Sequence, residues 1–259
     1  MSAPPHGTEW LSPIGEPVPF RMKASYWHYV VPTWRSHLLA SKAHRVTKGL
    51  VGGCALLLGV TLAGCAAPQY TYVANSGQST YFKVPYGWHK ISDTSLSSEL
   101  KAETGSSGGA WTVAYEAGGK PTAGDFLSFG TGQPFVFAEV GQLSSTASGE
   151  LSYDSLRDFF LPVTSTARQN ATAQGFPLTG FKQIRDQVLT PGQGVHGVRE
   201  TFDYTYTGGI TDTFDEVALT NADQTVVYLL VLHCTTSCYS NDQTEINDVM
   251  SSFTIRSPQ

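Results

Sequence analysis

Charge is scarce in this chain, and histidine and cysteine are scarcer: 16 Lys and Arg, 21 Asp and Glu, seven His and four Cys among 259 residues. No P-loop, dinucleotide glycine fingerprint, G-x-S-x-G elbow or H-E-x-x-H pair is present, so none of the usual sequence signatures of nucleotide binding, serine hydrolysis or zinc peptidase chemistry applies. EF-hand spacing is missing as well, and no internal repeat recurs at solenoid or propeller spacing. The apolar run Gly49–Val60 is short. At ~1.5 Å per helical residue it falls well below the ~30 Å hydrocarbon core, which disfavours a permanent transmembrane helix and suits a secretory segment.

Just beyond that run, Leu62-Ala63-Gly64-Cys65 reads as a bacterial lipobox, with Leu at −3, small residues at −2 and −1, then Cys. Lys42, Arg45 and Lys48 supply the positive region before it. A competing Val51-Gly52-Gly53-Cys54 match would cut the apolar run in half. The expectation is a signal peptide over 46–64, cleavage before Cys65, and a diacylglyceryl group (palmitate-type chains) on its sulfur. The protein then sits at the extracytoplasmic face of the cell membrane. Residues 1–45 carry Pro4, Pro5, Pro13, Pro17 and Pro19 and show no helical or strand period. They read as a disordered extension or an over-extended gene start, with translation from Met22 or Val46 giving a conventional signal.

The lipobox divides the charge. Residues 1–65 hold six Lys/Arg and two Asp/Glu, whereas 66–259 hold ten (16 − 6) and nineteen (21 − 2), a net −9. An acidic mature chain is repelled by phosphate backbones, so no nucleic-acid partner is expected. The same sign disfavours anionic headgroups and leaves membrane attachment to the acyl chains at Cys65. Cys54 leaves with the signal, and Cys234 and Cys238 remain, which in an exported chain suggests a disulfide. A metal site using His233, Cys234 and Cys238, or a redox pair, are the alternatives; thiolate metal sites normally show closer spacing and a second ligand pair.

After a tether at 65–78, residues 79–256 read as one α+β domain, an antiparallel sheet flanked by helices. Val198, Phe202, Tyr204 and Tyr206 alternate as a strand with one buried face. Gly208-Gly209 signals a hairpin turn, Thr211–Leu219 a second strand, and Gln224–Leu232 a third, apolar at every position from Val226 and so buried on both faces. Earlier strands are predicted at Thr80–Val84, Trp88–Ile91, Ala110–Glu116, Pro134–Gln142 and Phe181–Leu189. Ile246, Val249, Met250 and Phe253 form a helical stripe, with Ser240 and Gln243 as a capping box. Ser152 caps a second predicted helix in which Tyr153, Leu156 and Phe160 share a face, ending at Pro162. Thr104–Gly109, Gly118–Gly124 and Ser144–Gly149 read as surface loops.

Tyr81-Phe82-Lys83-Val84-Pro85-Tyr86-Gly87-Trp88, the three C-terminal strands and the closing helix into Phe253-Thr254-Ile255 resemble the PsbP-like fold, an α/β/α sandwich. That fold occurs in a photosystem II extrinsic protein, a Ran-binding import factor and many bacterial lipoproteins. Within it the chain resembles actinobacterial lipoproteins of the LpqN type. The resemblance implies a fold over roughly 79–256 and a binding or assembly role. It brings no catalytic motif and no cofactor.

Candidate site residues are few. Trp88 is either a buried turn indole or a ligand-stacking platform. Asp212, Asp215 and Glu216 form the densest acidic group; Asp212 and Glu216 share a strand face and could offer oxygen ligands, or could guard a solvated strand edge. His89, His196 and His233 are the histidines of the mature chain. Tyr70, Tyr72, Tyr81, Phe126, Phe129, Phe135 and Phe137 could line a cleft and more readily fill a core. The functional expectation is a lipid-anchored envelope module that binds a protein or envelope ligand and is no enzyme. The alternative is an envelope hydrolase with a non-sequential site around His196 or His233. Cys65→Ser should yield a chain whose intact mass lacks the diacylglyceryl group and which leaves the membrane fraction; unchanged membrane retention would reject anchoring at Cys65.

Overall fold

The computed structural model describes residues 69–104, 110–206 and 208–256, and a two-residue strand at Phe20–Arg21 that pairs with Ser128–Phe129. The lipobox, the signal segment and the loop at 105–109 lie outside the described residues. The main sheet is built from His89–Lys90 (β3), Trp111–Glu116 (β4), Phe135–Gln142 (β5), Leu178–Gly192 (β6), Val195–Tyr206 (β7), Thr211–Thr220 (β8) and Val226–Thr235 (β9). Their order is β3-β4-β5-β9-β8-β7-β6, and every pairing is antiparallel. A smaller sheet joins Tyr70–Asn75 (β1), Thr80–Pro85 (β2) and Thr254–Ile255 (β10) in the order β10-β2-β1.

The apolar strand β9 holds the central position of the seven, as its composition requires. Leu229 and Val231 face one core with Phe135, Phe137, Phe202 and Phe214, while Leu230 and Leu232 face another with Val113, Val136 and Val217. The first core is closed by four helices: Asp93–Thr104 (α1), Ser145–Gly149 (α2), Tyr153–Arg157 (α3) and Ser165–Ala173 (α4). The second is closed by Thr236–Asn241 (α5), Gln243–Ser251 (α6) and the inner face of the small sheet, through Phe82, Val84, Ile246 and Val249. The result is an α+β fold with helices on both faces of an antiparallel sheet. Among the described residues no helix is long and apolar enough to cross a membrane.

Local chemistry explains the helix starts. The hydroxyls of Ser144, Ser152 and Thr164 each accept a backbone N–H three residues on, and Ser155 returns a bond to the Ser152 backbone to complete a capping box. Such a cap is worth ~1 kcal/mol, enough to matter for one- or two-turn helices. Thr235 caps α5 through the Cys238 N–H, and Cys234 and Cys238 are joined in a disulfide that ties the end of β9 to this helix.

Several expectations need correction. The stretch expected to be tether contains β1, fully paired along β2, because Tyr70, Tyr72 and Val73 supply strand formers that the polar flanks obscured. Thr80–Pro85 does not join the main sheet; the turn at Pro85–Trp88, closed by the Trp88 N–H on the Pro85 carbonyl at 3.0 Å, carries the chain from one sheet to the other. The helix after Ser152 stops at Arg157, so Phe160 is buried from a following irregular segment and Tyr153 is 39% exposed. Ser240 lies inside α5, and α6 starts at Gln243, where the preceding Asp242 makes no side-chain cap. Ser145–Gly149 is a short helix rather than a loop. The helices α1 and α4 were not anticipated, since their Ser, Thr and Ala content gives little apolar period.

Gly197 on β7 permits the closest strand approach: a Cβ there would lie 2.1 Å from the Ala218 carbonyl oxygen. Backbone cannot move aside cheaply. Gly197→Ala should therefore destabilise the domain by about 3 kcal/mol, the top of the overpacking range, in denaturant unfolding. Gly149→Ala, with nothing within 4 Å of the added carbon, is the neutral control.

Candidate functional site

The structure removes several sequence candidates from any surface role. Trp88 is 7% exposed, and its indole N–H donates to Glu245 Oε1 at 3.0 Å, so its faces are not free to stack a ligand. Asp212, Asp215 and Glu216 are each fully buried on β8, which is paired on both sides. The reading of these acids as a solvated edge is therefore wrong. Strand composition cannot reveal which strand ends up inside. Asp212 accepts the Gly130 backbone N–H at 3.1 Å and faces His233 Nδ1 at 3.7 Å, which anchors the 128–131 loop over the end of the sheet.

His233 is 2% exposed, stacked 5.2 Å from Phe214 and 5.5 Å from Phe135. It is one rung of an aromatic row that continues from Phe214 to Phe202 at 5.5 Å and to Phe181 at 5.9 Å, crossing five strands. His196, at the other end of the sheet, donates from Nδ1 to the Gly194 carbonyl at 2.9 Å, receives the Gln224 amide at 3.4 Å, and meets Tyr153 edge-on. The structure does not bring the two histidines together. Among the described residues no group of three or more His, Cys, Asp or Glu is arranged to hold a metal.

Two arginine–carboxylate clusters do form, and neither was expected from the sequence. On the helix-covered face, Arg157 of α3 binds Asp154 at 3.0 Å, Asp186 of β6 at 2.9 Å and Glu200 of β7 at 3.1 Å. Gln183 donates to the other Glu200 oxygen at 2.9 Å. Burial, with the neighbouring Asp186 carboxylate, pushes the Glu200 pKa up to about 7. The hydrogen bond from Arg157 holds Asp186 below its ordinary value. Two carboxylates pushed apart in this way resemble an acid–base pair. Both Glu200 oxygens are already engaged, however, and its side chain has no exposure, so no substrate can reach it. The cluster is a clasp that pins α3 to the sheet. On the other face Arg199 makes a two-pronged bond to Asp215 at 2.9 and 2.7 Å, Tyr239 donates to the same carboxylate at 2.8 Å, and Arg199 also reaches Asn247. That network locks α5 and α6 down. The alternation Val198-x-x-x-Phe202-x-Tyr204 contained the signal for Glu200, since position 200 falls on the same buried face.

The feature shaped to receive something lies between the edge strand β6 and the closing segment of the chain. It is a groove of about 560 Å³ with a floor of Val217, Leu219 and Met250 and walls of Leu189, Phe253 and Ile255. Gln187, Thr190, Arg199 and Ser251 give it a polar rim. A volume of that size, with apolar walls and a polar rim, lies within the range of small-ligand sites. A larger depression of about 940 Å³ near His89 and Asp125 is lined by Ser92, Thr94, Ser95, Ser98 and Glu99 together with Ile91, Pro121 and Ala123.

No family model matches the chain, and no curated protein matches it in sequence. Solved structures similar to it include cyanobacterial PsbP (CyanoP) from Synechocystis, 15% identical, covering 80% of this chain and all of that one at a TM-score of 0.43. The Ran-binding protein Mog1p of Saccharomyces cerevisiae is 9% identical, covering 72% of this chain and 95% of its own, at 0.39. LpqN of Mycobacterium tuberculosis, described as involved in cell envelope biogenesis, is 14% identical, covering 72% and 90%, also at 0.39. LpqN thus stands level with the others, and the finer expectation of an LpqN-type protein is not singled out.

The Glu200 shift has a sign. Between about pH 4.5 and 7 the folded chain keeps a proton on Glu200 that the unfolded chain has released, so stability from this group falls as pH rises through that window. The lowered Asp186 acts only below its ordinary value of 3.8, outside the window. Glu200→Gln should flatten the fall in denaturation free energy from about pH 5 to 7; an undiminished slope would rule out Glu200 as its source.

Proposed function

We propose that the mature chain is a lipid-anchored module of the cell envelope, held at the extracytoplasmic face through Cys65, that binds a small apolar envelope ligand. It carries no metal or other cofactor in this reading and is no enzyme. The groove between β6 and the segment 250–255 is the observation that carries it. Its floor belongs to the core and is rigid, whereas its outer lip is an edge strand with Val188 half exposed. An apolar chain laid there removes Leu189, Phe253 and Ile255 from water at ~25 cal/mol per Å². The polar rim then orients a headgroup. The lipobox supports the location, since an anchored module meets its ligand at the membrane surface.

The rigid clasp at Arg157 and the enclosed ring of His233 favour binding over hydrolysis. His233 has no opening to solvent, and the ring nitrogens of His196 are engaged by a carbonyl and an amide.

Titration of the purified lipoprotein with a fluorescent fatty acid should show saturable binding, weakened about tenfold or more by Leu189→Asp or Ile255→Glu, because a charge facing an apolar chain lacks a partner. Both side chains are at least partly exposed, so the fold should survive. Binding that is absent, or equal in both variants, would remove the groove as the site.

A further inference from the structure

The small sheet has an inner face that closes the core and an outer face that, among the described residues, no helix or strand packs over, although Asp248 of α6 reaches its border and accepts the Tyr70 hydroxyl at 2.9 Å. Register sets the outer residues: Tyr70 lies opposite Pro85, Tyr72 opposite Lys83, and Ala74 opposite Tyr81. Their neighbours Val73, Phe82 and Val84 point the other way and are buried. Tyr72 is 79% exposed, and Tyr86, just past the strand, is 63% exposed. Among the described residues these are the two most exposed large apolar side chains. Tyr70, Tyr72 and Tyr81, expected to be core, are therefore surface groups.

Charge on this face departs from the rest of the domain. Residues 66–259 carry nineteen acids and ten bases. Yet the six outward positions of β1 and β2 hold one base, Lys83, and no acid; the carboxylate at the border, Asp248, is engaged by the Tyr70 hydroxyl. Lys83 Nζ sits 3.8 Å from the Tyr70 ring centroid, and the Arg256 guanidinium lies 5.0 Å from that of Tyr81. Both cations are thus held flat against aromatic rings on the outer side. Tyrosine beside Lys and Arg is the composition of a membrane interface: the ring sits at headgroup level, its hydroxyl stays wet, and the cation meets lipid phosphate.

Chain length selects the occupant. β1 begins at Tyr70, five positions after Cys65 (70 − 65). At most ~3.5 Å per residue separates them, so a lipidated Cys65 holds this sheet within ~18 Å of the acyl–headgroup boundary. We propose that the Tyr70/Tyr72/Tyr81/Tyr86 face, with Lys83 and Arg256, lies flat on the phospholipid surface and sets the orientation of the domain. This rests on the lipid anchor at Cys65, whose acyl chains hold the protein at the bilayer, and adds a weaker contact that fixes orientation. The acidic bulk of the domain then points away from anionic lipid.

Lactoperoxidase-catalysed iodination tests the face, because that bulky enzyme cannot enter a protein–lipid contact. The purified lipoprotein in phosphatidylglycerol–phosphatidylethanolamine vesicles is compared with soluble Cys65→Ser, reading Tyr72, Tyr86 and Tyr153 by peptide mass. Tyr153, on the helix that covers the opposite side of the main sheet, is the internal control. Labelling of Tyr72 and Tyr86 should fall about fivefold or more in vesicles, as withdrawal to headgroup depth requires, with Tyr153 unchanged. The lipidated Lys83→Glu, Arg256→Glu double variant should recover at least about half of the lost labelling, since two repulsive charges replace two attractive ones. Equal labelling of Tyr72 and Tyr86 in the wild-type and Cys65→Ser states, with lipid on Cys65 established by intact mass, overturns the orientation and leaves the anchor standing. Full protection persisting in the double variant overturns the role of the cations. An intact mass without lipid removes the anchor, and this orientation with it.

Discussion

Strand Val226–Thr235 has to lose water from both faces at once, and the rest of the fold depends on that constraint. An alternating strand needs one cover; a continuously apolar one needs two, at ~1.5–3 kcal/mol for each large side chain left uncovered. The chain meets the demand with unlike materials. Short capped helices and the irregular segment 159–163 close one side, and a three-stranded sheet with the closing helix closes the other. The disulfide at Cys234–Cys238 sits where the central strand hands over to α5, the short helix before the closing one.

Placing so much polar material beside such a core creates a second problem. Glu200, Asp212, Asp215 and Glu216 all lie on interior strands. An unpaired buried carboxylate is costly, and each arginine cluster answers that cost while cross-linking layers. Arg157 joins a helix to two strands; Arg199 with Tyr239 joins the sheet to α5 and α6. The residues with the most perturbed acid–base behaviour are therefore structural clasps, closed to solvent. Features able to meet another molecule lie instead at the margins, in the groove beside the edge strand and on the outer face of the small sheet.

Much of this was legible along the chain. Val226–Leu232 announced a doubly buried strand by the lack of any polar residue, Gly208-Gly209 announced the hairpin that joins β7 to β8, and Ser152 announced a helix cap. Ile246, Val249 and Met250 marked the closing helix by period alone, and all three are buried. Other elements were not legible, for identifiable reasons. α1 and α4 are rich in Ser, Thr and Ala and bury only one or two side chains each, so their period is faint. β1 was hidden because a strand that buries one residue, Val73, has almost no alternation to detect. The acids at 212, 215 and 216 looked like an edge because the pattern of one strand contains no information about its neighbours.

Sequence by itself determined the local and directional properties: which segments are extended, where helices start, which side chains alternate, and the change from a basic first 65 residues to an acidic remainder. These depend on residues a few positions apart, so composition and period suffice. Tertiary structure decided the rest. It assigned Thr80–Pro85 to a second sheet and placed β8 inside the first. It brought Arg157 onto carboxylates 29 and 43 residues away, and turned tyrosines that read as core to the outside. Each of those outcomes depends on strand order and layer packing, which are set by the whole chain burying its surface together rather than by any single stretch of it.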